Sequence, residues 1–134
     1  MAWLAISRMF NARANREGIT TNIGFVLLHI DDENGTPATK IAPLMGMEPR
    51  SLTRILSKME IDGLIYRQSD PTDGRVVRIF PTEDGLRIKA VAKNVVIDFN
   101  REIYERISEK KLDAFFDVID DIHHVIKKRS QDDS

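Results

Sequence analysis

Residues 38–80 run Ala-Thr-Lys-Ile-Ala-Pro-Leu-Met-Gly-Met-Glu-Pro-Arg-Ser-Leu-Thr-Arg-Ile-Leu-Ser-Lys-Met-Glu-Ile-Asp-Gly-Leu-Ile-Tyr-Arg-Gln-Ser-Asp-Pro-Thr-Asp-Gly-Arg-Val-Val-Arg-Ile-Phe. The stretch divides into a short helix, a tight turn, a second helix with one basic edge, and a hairpin with an arginine at its tip. That is the layout of a winged helix-turn-helix, which puts a helix in the DNA major groove and a loop beside it.

The second helix opens at Met47-Glu48-Pro49. Proline is tolerated in a first helical turn, and Glu48 sits at the positive end of the helix dipole. Gly63 ends the helix where a left-handed cap is usual. Leu52, Ile55, Leu56 and Met59 recur at helical spacing and form an apolar stripe. Arg50, Arg54 and Lys58 fall at i, i+4 and i+8 on another face, with Ser51, Thr53 and Ser57 beside them. Arginine can bond guanine bidentately, and serine or threonine can reach a base or a phosphate. A basic edge alone is ordinary for a solvated helix. Its place between a glycine turn and a hairpin favours DNA.

The turn is Met45-Gly46-Met47, where glycine permits a positive φ and a close helix approach. The preceding helix is expected to start at Thr36 as N-cap with Pro37 at its first position, packing through Ile41, Ala42 and Leu44. Pro43 is awkward in a helix interior and predicts a short or distorted helix. The β-rich runs 64–68 and 76–80 flank Asp70-Pro71-Thr72-Asp73-Gly74-Arg75, a turn signal. Arg75 at the tip suits a narrow minor groove, with Asp70 or Asp73 available to hold it. A plain surface hairpin with a weak ion pair would read the same way on its own.

These residues resemble the MarR family (multiple-antibiotic-resistance-type regulators). The resemblance rests on Gly63-Leu64-Ile65-Tyr66-Arg67, on Asp70-Pro71-Thr72-Asp73-Gly74-Arg75 and on Phe80-Pro81-Thr82-Glu83-Asp84-Gly85. Milder similarity reaches Ile19 to Leu28 and Ile107 to Leu112. Pro81 departs from the family pattern, which has leucine before the threonine. The resemblance implies a dimeric regulator that uses both termini for dimerisation. It also implies release from DNA when a small, often aromatic or phenolic, ligand binds between the reading unit and the dimer helices.

The rest of the sequence fits a single domain of 134 residues. We expect a winged unit over 20–82 and dimerisation helices over 1–17 and 83–130. The chain is mainly α with a small β-hairpin. An apolar content of 42% beside 31% charged residues is ordinary for a globular protein. No apolar run is long enough to span a bilayer. The opening Met-Ala-Trp-Leu-Ala-Ile-Ser-Arg is too short for a signal peptide, so cytoplasmic residence is expected. Zero cysteines exclude disulfides and thiolate metal sites. A net charge of −1 argues against non-specific polyanion binding, yet the charge is segregated. Arg50, Arg54, Lys58, Arg67, Arg75 and Arg78 lie within 49–80, whereas acids gather at Asp31-Asp32-Glu33 and from Asp117 to Asp121.

Towards the N-terminus, a helix over 2–16 offers Leu4, Ile6, Met9 and Phe10, followed by a turn at Glu17-Gly18. A helix near 20–31, capped by Thr20 or Thr21, is expected to bury Ile23, Val26, Leu27 and Ile30. Beyond Thr82, a long helix to about 106 carries Leu86, Val91, Val95, Phe99 and Ile103 at helical spacing, and Ser108 caps a last helix. That helix's stripe, Leu112, Phe115, Phe116, Ile119, Ile122 and Ile126, exceeds what a small reading unit needs to cover. A symmetric dimer is the expected partner.

His29 reads as packing or a pocket wall. His123 and His124 are adjacent, point about 100° apart and cannot share a metal in i, i+4 geometry. Asp120 and His124 alone would make an incomplete site. With no phosphate loop or nucleophile elbow, neither catalysis nor a cofactor is expected. The expected DNA-contacting residues are Pro49, Arg50, Ser51, Thr53, Arg54, Lys58, Arg67, Asp73, Arg75 and Arg78, with Arg67 and Arg78 touching phosphates or bracing the wing. The expected partners are operator duplex DNA, a second copy of the chain and a small effector. The rival reading is a winged helix used for protein–protein contact, against which the basic edge argues.

Overall fold

The computed structural model describes residues 20–133 together with Ala12. Apart from Ala12, the expected N-terminal helix and the turn at Glu17-Gly18 lie outside the described residues. The chain divides into two compact units, Met1–Val96 and Ile97–Ser134.

In the first unit, helix α1 (Thr21–Leu28) is capped by Thr20, whose hydroxyl accepts a hydrogen bond from the Ile23 N–H at 3.3 Å. His29 closes it, with Nδ1 2.7 Å from the Phe25 carbonyl oxygen. Strand β1 (Thr36–Pro37) and helix α2 (Ala38–Met45) follow. Thr36 and Pro37 were expected to start the helix, and here the structure differs. Thr36 pairs with Ile79 and Pro37 with Arg78 in a sheet of order β1-β3-β2. Proline suits this place because an edge strand does not need every N–H. The Thr36 hydroxyl accepts from the Asp31 N–H and donates to the His29 carbonyl, so it ties the loop and caps nothing.

Pro43 lies inside α2, which stops after 8 residues. Ile41 and Ala42 are buried, but Leu44 is exposed, because the inward face runs through Ala38, Ile41, Ala42 and Met45. Gly46 then turns left-handed at φ 60°, and the Gly46 and Met47 N–H groups cap the helix carbonyls. Helix α3 (Pro49–Ile61) buries Leu52, Leu56 and Met59, with Ile55 partly covered. Gly63, at φ 76°, turns the chain into strand β2 (Ile65–Ser69), which pairs antiparallel with β3 (Val77–Pro81). One core joins Val26, Leu27 and Ile30 of α1 and its C-terminal turn, Ile41 of α2, the α3 stripe, Ile65 and Ile79. Full burial of each such side chain is worth roughly 1.5–3 kcal/mol, so the second helix is fixed from behind and its polar edge is left outside.

Helix α4 (Glu83–Arg106) starts in the first unit, where the Thr82 hydroxyl accepts from the Gly85 N–H at 3.0 Å. Its inward face is Gly85, Ile88, Ala92 and Val95; the expected Leu86 is exposed. Pro81 ends β3 buried and opposite Ile65, and the Thr82 N–H continues the ladder to the Leu64 carbonyl.

The second unit holds the end of α4 and helix α5 (Glu109–Asp132). Ser108 caps α5 by accepting from the Lys111 N–H, as its position predicts. No described residue of α5 is buried, and Phe115, Phe116, Val118, Ile122, Val125 and Ile126 are about half exposed.

Candidate nucleic-acid interface

The exposed edge of α3 is built by the same register that buries its stripe. Arg50, Ser51, Arg54, Ser57 and Lys58 are all exposed. Among the described residues, Arg50 and Arg54 have no ion-pair partner. Lys58 differs, since its Nζ sits 2.9 Å from Asp62 in an exposed i, i+4 pair. Such a pair contributes about 0.3–0.5 kcal/mol and yields readily to a phosphate. The Thr53 hydroxyl donates to the Pro49 carbonyl at 2.9 Å, which leaves its lone pairs to accept. Pro49 occupies the first helical turn, and Glu48 makes no side-chain cap bond.

The wing presents Arg75, whose side chain is 93% exposed. The Asp73 carboxylate accepts from the Arg75 backbone N–H at 3.0 Å and from its Nε at 3.4 Å. Of the two acids named for this role, Asp73 fills it. Asp70 instead pairs with Arg78, Oδ2 to Nε at 2.6 Å. Its other oxygen accepts from the Thr72 N–H, the Thr72 hydroxyl and the Asp73 N–H, so one carboxylate organises the whole turn. Arg78 also donates to the carbonyls of Asn34 and Gly35. Arg67 Nε lies 2.6 Å from Glu60, which clips β2 to the end of α3. Arg67 and Arg78 therefore brace the wing, while Arg50, Arg54 and Arg75 are the outward-facing cations.

Arg78, followed by the Thr72 hydroxyl and N–H, holds the Asp70 carboxyl well below the usual carboxylate range. The N–H groups of Asn34 and Glu33 lower Asp31 in the same sense. A depressed folded-state value means that the stabilisation is present above the unfolded value near 3.9 and is lost as pH falls through the folded one. Urea melts of the wild type should therefore lose midpoint steadily below about pH 4. Asp70→Asn should lower the midpoint at neutral pH and flatten that acid slope, with Asp31 supplying what slope remains. An unchanged slope in Asp70→Asn would contradict the role given to the Asp70–Arg78 pair.

Beside α3, an apolar cleft of about 340 Å³ is lined by Ala42, Pro43, Met47, Leu52 and Leu56, with Arg67 on it. Among the described residues there is no group of three or more metal-ligating side chains. No helix among them is long and apolar enough to cross a membrane.

A helix-turn-helix followed by a hairpin in a small three-stranded antiparallel sheet is the winged-helix fold. The MarR family model matches residues 19–77. A Thauera aromatica protein assigned to regulation of the hcr operon is 26% identical over 93 residues, 69% of this chain and 56% of that protein. The chain thus spans little more than half the length of that relative. The MepR–DNA complex of S. aureus is 17% identical, with 93% of both chains covered and a TM-score of 0.83. CouR from Rhodococcus jostii RHA1, bound to p-coumaroyl-CoA, is 24% identical, with 90% of this chain and 85% of that one covered and a TM-score of 0.79. Both structures share the fold.

Proposed function

We propose that this chain binds a palindromic DNA operator as a symmetric dimer and represses transcription until a small ligand releases it. The observation that carries the reading is the pairing pattern of the cations. Arg67 and Arg78 are engaged as braces, Arg50 and Arg54 have no ion pair among the described residues, and Arg75 stays 93% exposed with only a 3.4 Å contact to Asp73, so the open cations lie on an edge and a tip that a duplex would meet. Pro49, Arg50, Ser51, Thr53 and Arg54 would enter the major groove, and Lys58 would meet a phosphate at its side. Arg75, aimed by Asp73, would enter the minor groove. The MepR complex with DNA supports the mode of binding.

The exposed phenylalanine and isoleucine stripe of α5 supports dimerisation. A symmetric dimer would read a site whose two halves lie about 34 Å apart, one turn of DNA. CouR with its p-coumaroyl-CoA supports an aromatic effector. The apolar cleft beside α3 falls in the size range of small-ligand sites. The cytoplasm is the compartment this function requires.

Sedimentation tests the dimer. The wild type is expected at twice its 15.3 kDa mass. Phe115→Glu with Ile122→Glu should run as a monomer and lose operator binding on the order of 100-fold, because one half-site cannot supply two sets of contacts. A monomeric variant that binds the full palindrome as tightly as wild type would overturn the dimeric reading.

A further inference from the structure

The wing is fastened to the body of the first unit at a place that makes no direct use of α3. Lys89, two turns into α4, is mostly buried, with a side chain 20% exposed. Its Nζ donates to the Ile30 carbonyl at 2.7 Å and to Asp32 Oδ1 at 2.6 Å. Ile30 and Asp32 begin the loop between α1 and β1. That loop is stiff for its length. The Asp31 carboxylate accepts from the Glu33 and Asn34 N–H groups, both at 2.9 Å, and the Gly35 N–H returns to the Asp31 carbonyl at 3.0 Å. Gly35 lies against the Phe80 ring at φ 67°, where a side chain would clash.

At its far end the same loop meets the wing. The carbonyls of Asn34 and Gly35 accept from Arg78 Nη1 at 3.3 and 3.4 Å. Arg78 holds Asp70, Asp70 holds the Asp73 N–H at 3.1 Å, and Asp73 holds Arg75. Direct contacts therefore run without a gap from α4 to the arginine tip. The loop of a hairpin with five-residue strands has little rigidity of its own, so the tip's position depends on what its base is fastened to.

We infer that Lys89 is a positioning residue for DNA binding, fixing the Arg75 tip through the Ile30–Gly35 loop and Arg78; this rests on the DNA-binding reading above. Lys89 itself would touch no DNA. Residues that share one such network show non-additive effects, whereas independent sites add.

The test is a double-mutant cycle of Lys89→Met and Arg75→Ala. It is read by fluorescence anisotropy on the duplex that wild-type protein enriches from a random library, at low salt so that weakened variants still bind. Lys89→Met is expected to weaken binding on the order of fivefold when Arg75 is present and to have no further effect in the Arg75→Ala background. Lys89→Arg should restore most of the loss. Equal losses in both backgrounds, or no loss in either, would overturn the inference while leaving DNA binding itself intact. Enrichment of no duplex would remove the reading beneath it too. Where Lys89→Met does not fold, Asp32→Asn breaks the same pair and enters the same cycle, judged by the same outcomes.

Discussion

Replacing Arg54 and Arg75 together by alanine is expected to abolish operator binding at about 150 mM salt and leave the protein folded. Each arginine that contacts a base is worth roughly 1–3 kcal/mol, and a dimer would make every contact twice. Four lost contacts at the low end come to about 4 kcal/mol, or close to a thousandfold in affinity. Stability should change little, because both side chains are exposed and make no buried contact. Surface substitutions of that kind usually fall within about 0.5 kcal/mol. Anisotropy on the enriched duplex and a thermal melt give the two readouts. Arg67→Ala is the informative contrast. Arg67 is engaged with Glu60, so its loss should loosen the wing and cost modest affinity without erasing binding. Full binding by the Arg54 and Arg75 double variant would show that the wrong surface has been assigned.

Gly85→Ala is expected to destabilise the protein more than any exposed change, by roughly 3 kcal/mol or more. Gly85 is buried in the first turn of α4, where a Cβ would run into the carbonyl oxygen of Leu64. That carbonyl cannot move away cheaply. It accepts the Thr82 N–H at 3.0 Å, and the Thr82 hydroxyl donates to the neighbouring Gly63 carbonyl at 2.6 Å. Thr82 also caps α4 through the Gly85 N–H. The Thr-x-x-Gly spacing is thus one device: threonine starts the helix and clasps the Gly63-Leu64 turn, and glycine lets the helix lie against it. A Tm drop of about 10 °C or more is expected. Gly74→Ala is the control, since nothing lies within 4 Å of a Cβ there and its φ is not positive. Equal melting of the two variants would contradict the close-approach account.

The features that were legible in the sequence are those that local chemistry decides. Pro49 and Gly63 bracket α3, and its stripe has one period, so both the buried and the exposed faces follow. The Thr20 and Ser108 caps and the Asp-Pro-Thr-Asp-Gly turn are likewise set by neighbouring residues. Strand β1 was not legible. Two residues carry no periodicity, and Thr36-Pro37 is also a good helix start; only pairing with Ile79 and Arg78 settles the choice. The inward faces of α2 and α4 differ from the apolar spacing at Leu44 and Leu86, which are exposed, for a similar reason. Each helix turns towards the small residue that allows close approach, Ala42 in α2 and Gly85 in α4.

The brace residues were legible only as cations. Asp70 and Arg78 are eight positions apart, and it takes the hairpin's antiparallel register to put Gln68 opposite Arg78 and so bring Asp70 beside it. Lys89 gave no signal at all, since its partners are 57 and 59 positions away. Charge segregation along the chain marks the segment that carries most of these cations. It does not say which of those cations are engaged with carboxylates; the pairs Arg67–Glu60 and Arg78–Asp70 appear only in the folded chain.

The decisive measurement is selection of duplex DNA from a random library by the purified protein at about 150 mM salt. An enriched palindrome is expected, its half-sites one helical turn apart, with guanines where Arg50 or Arg54 would reach and an A·T-rich stretch where Arg75 would enter the minor groove. Recovery of no sequence, with only weak salt-sensitive binding, would contradict this expectation and leave α3 and the wing as a surface for some other partner.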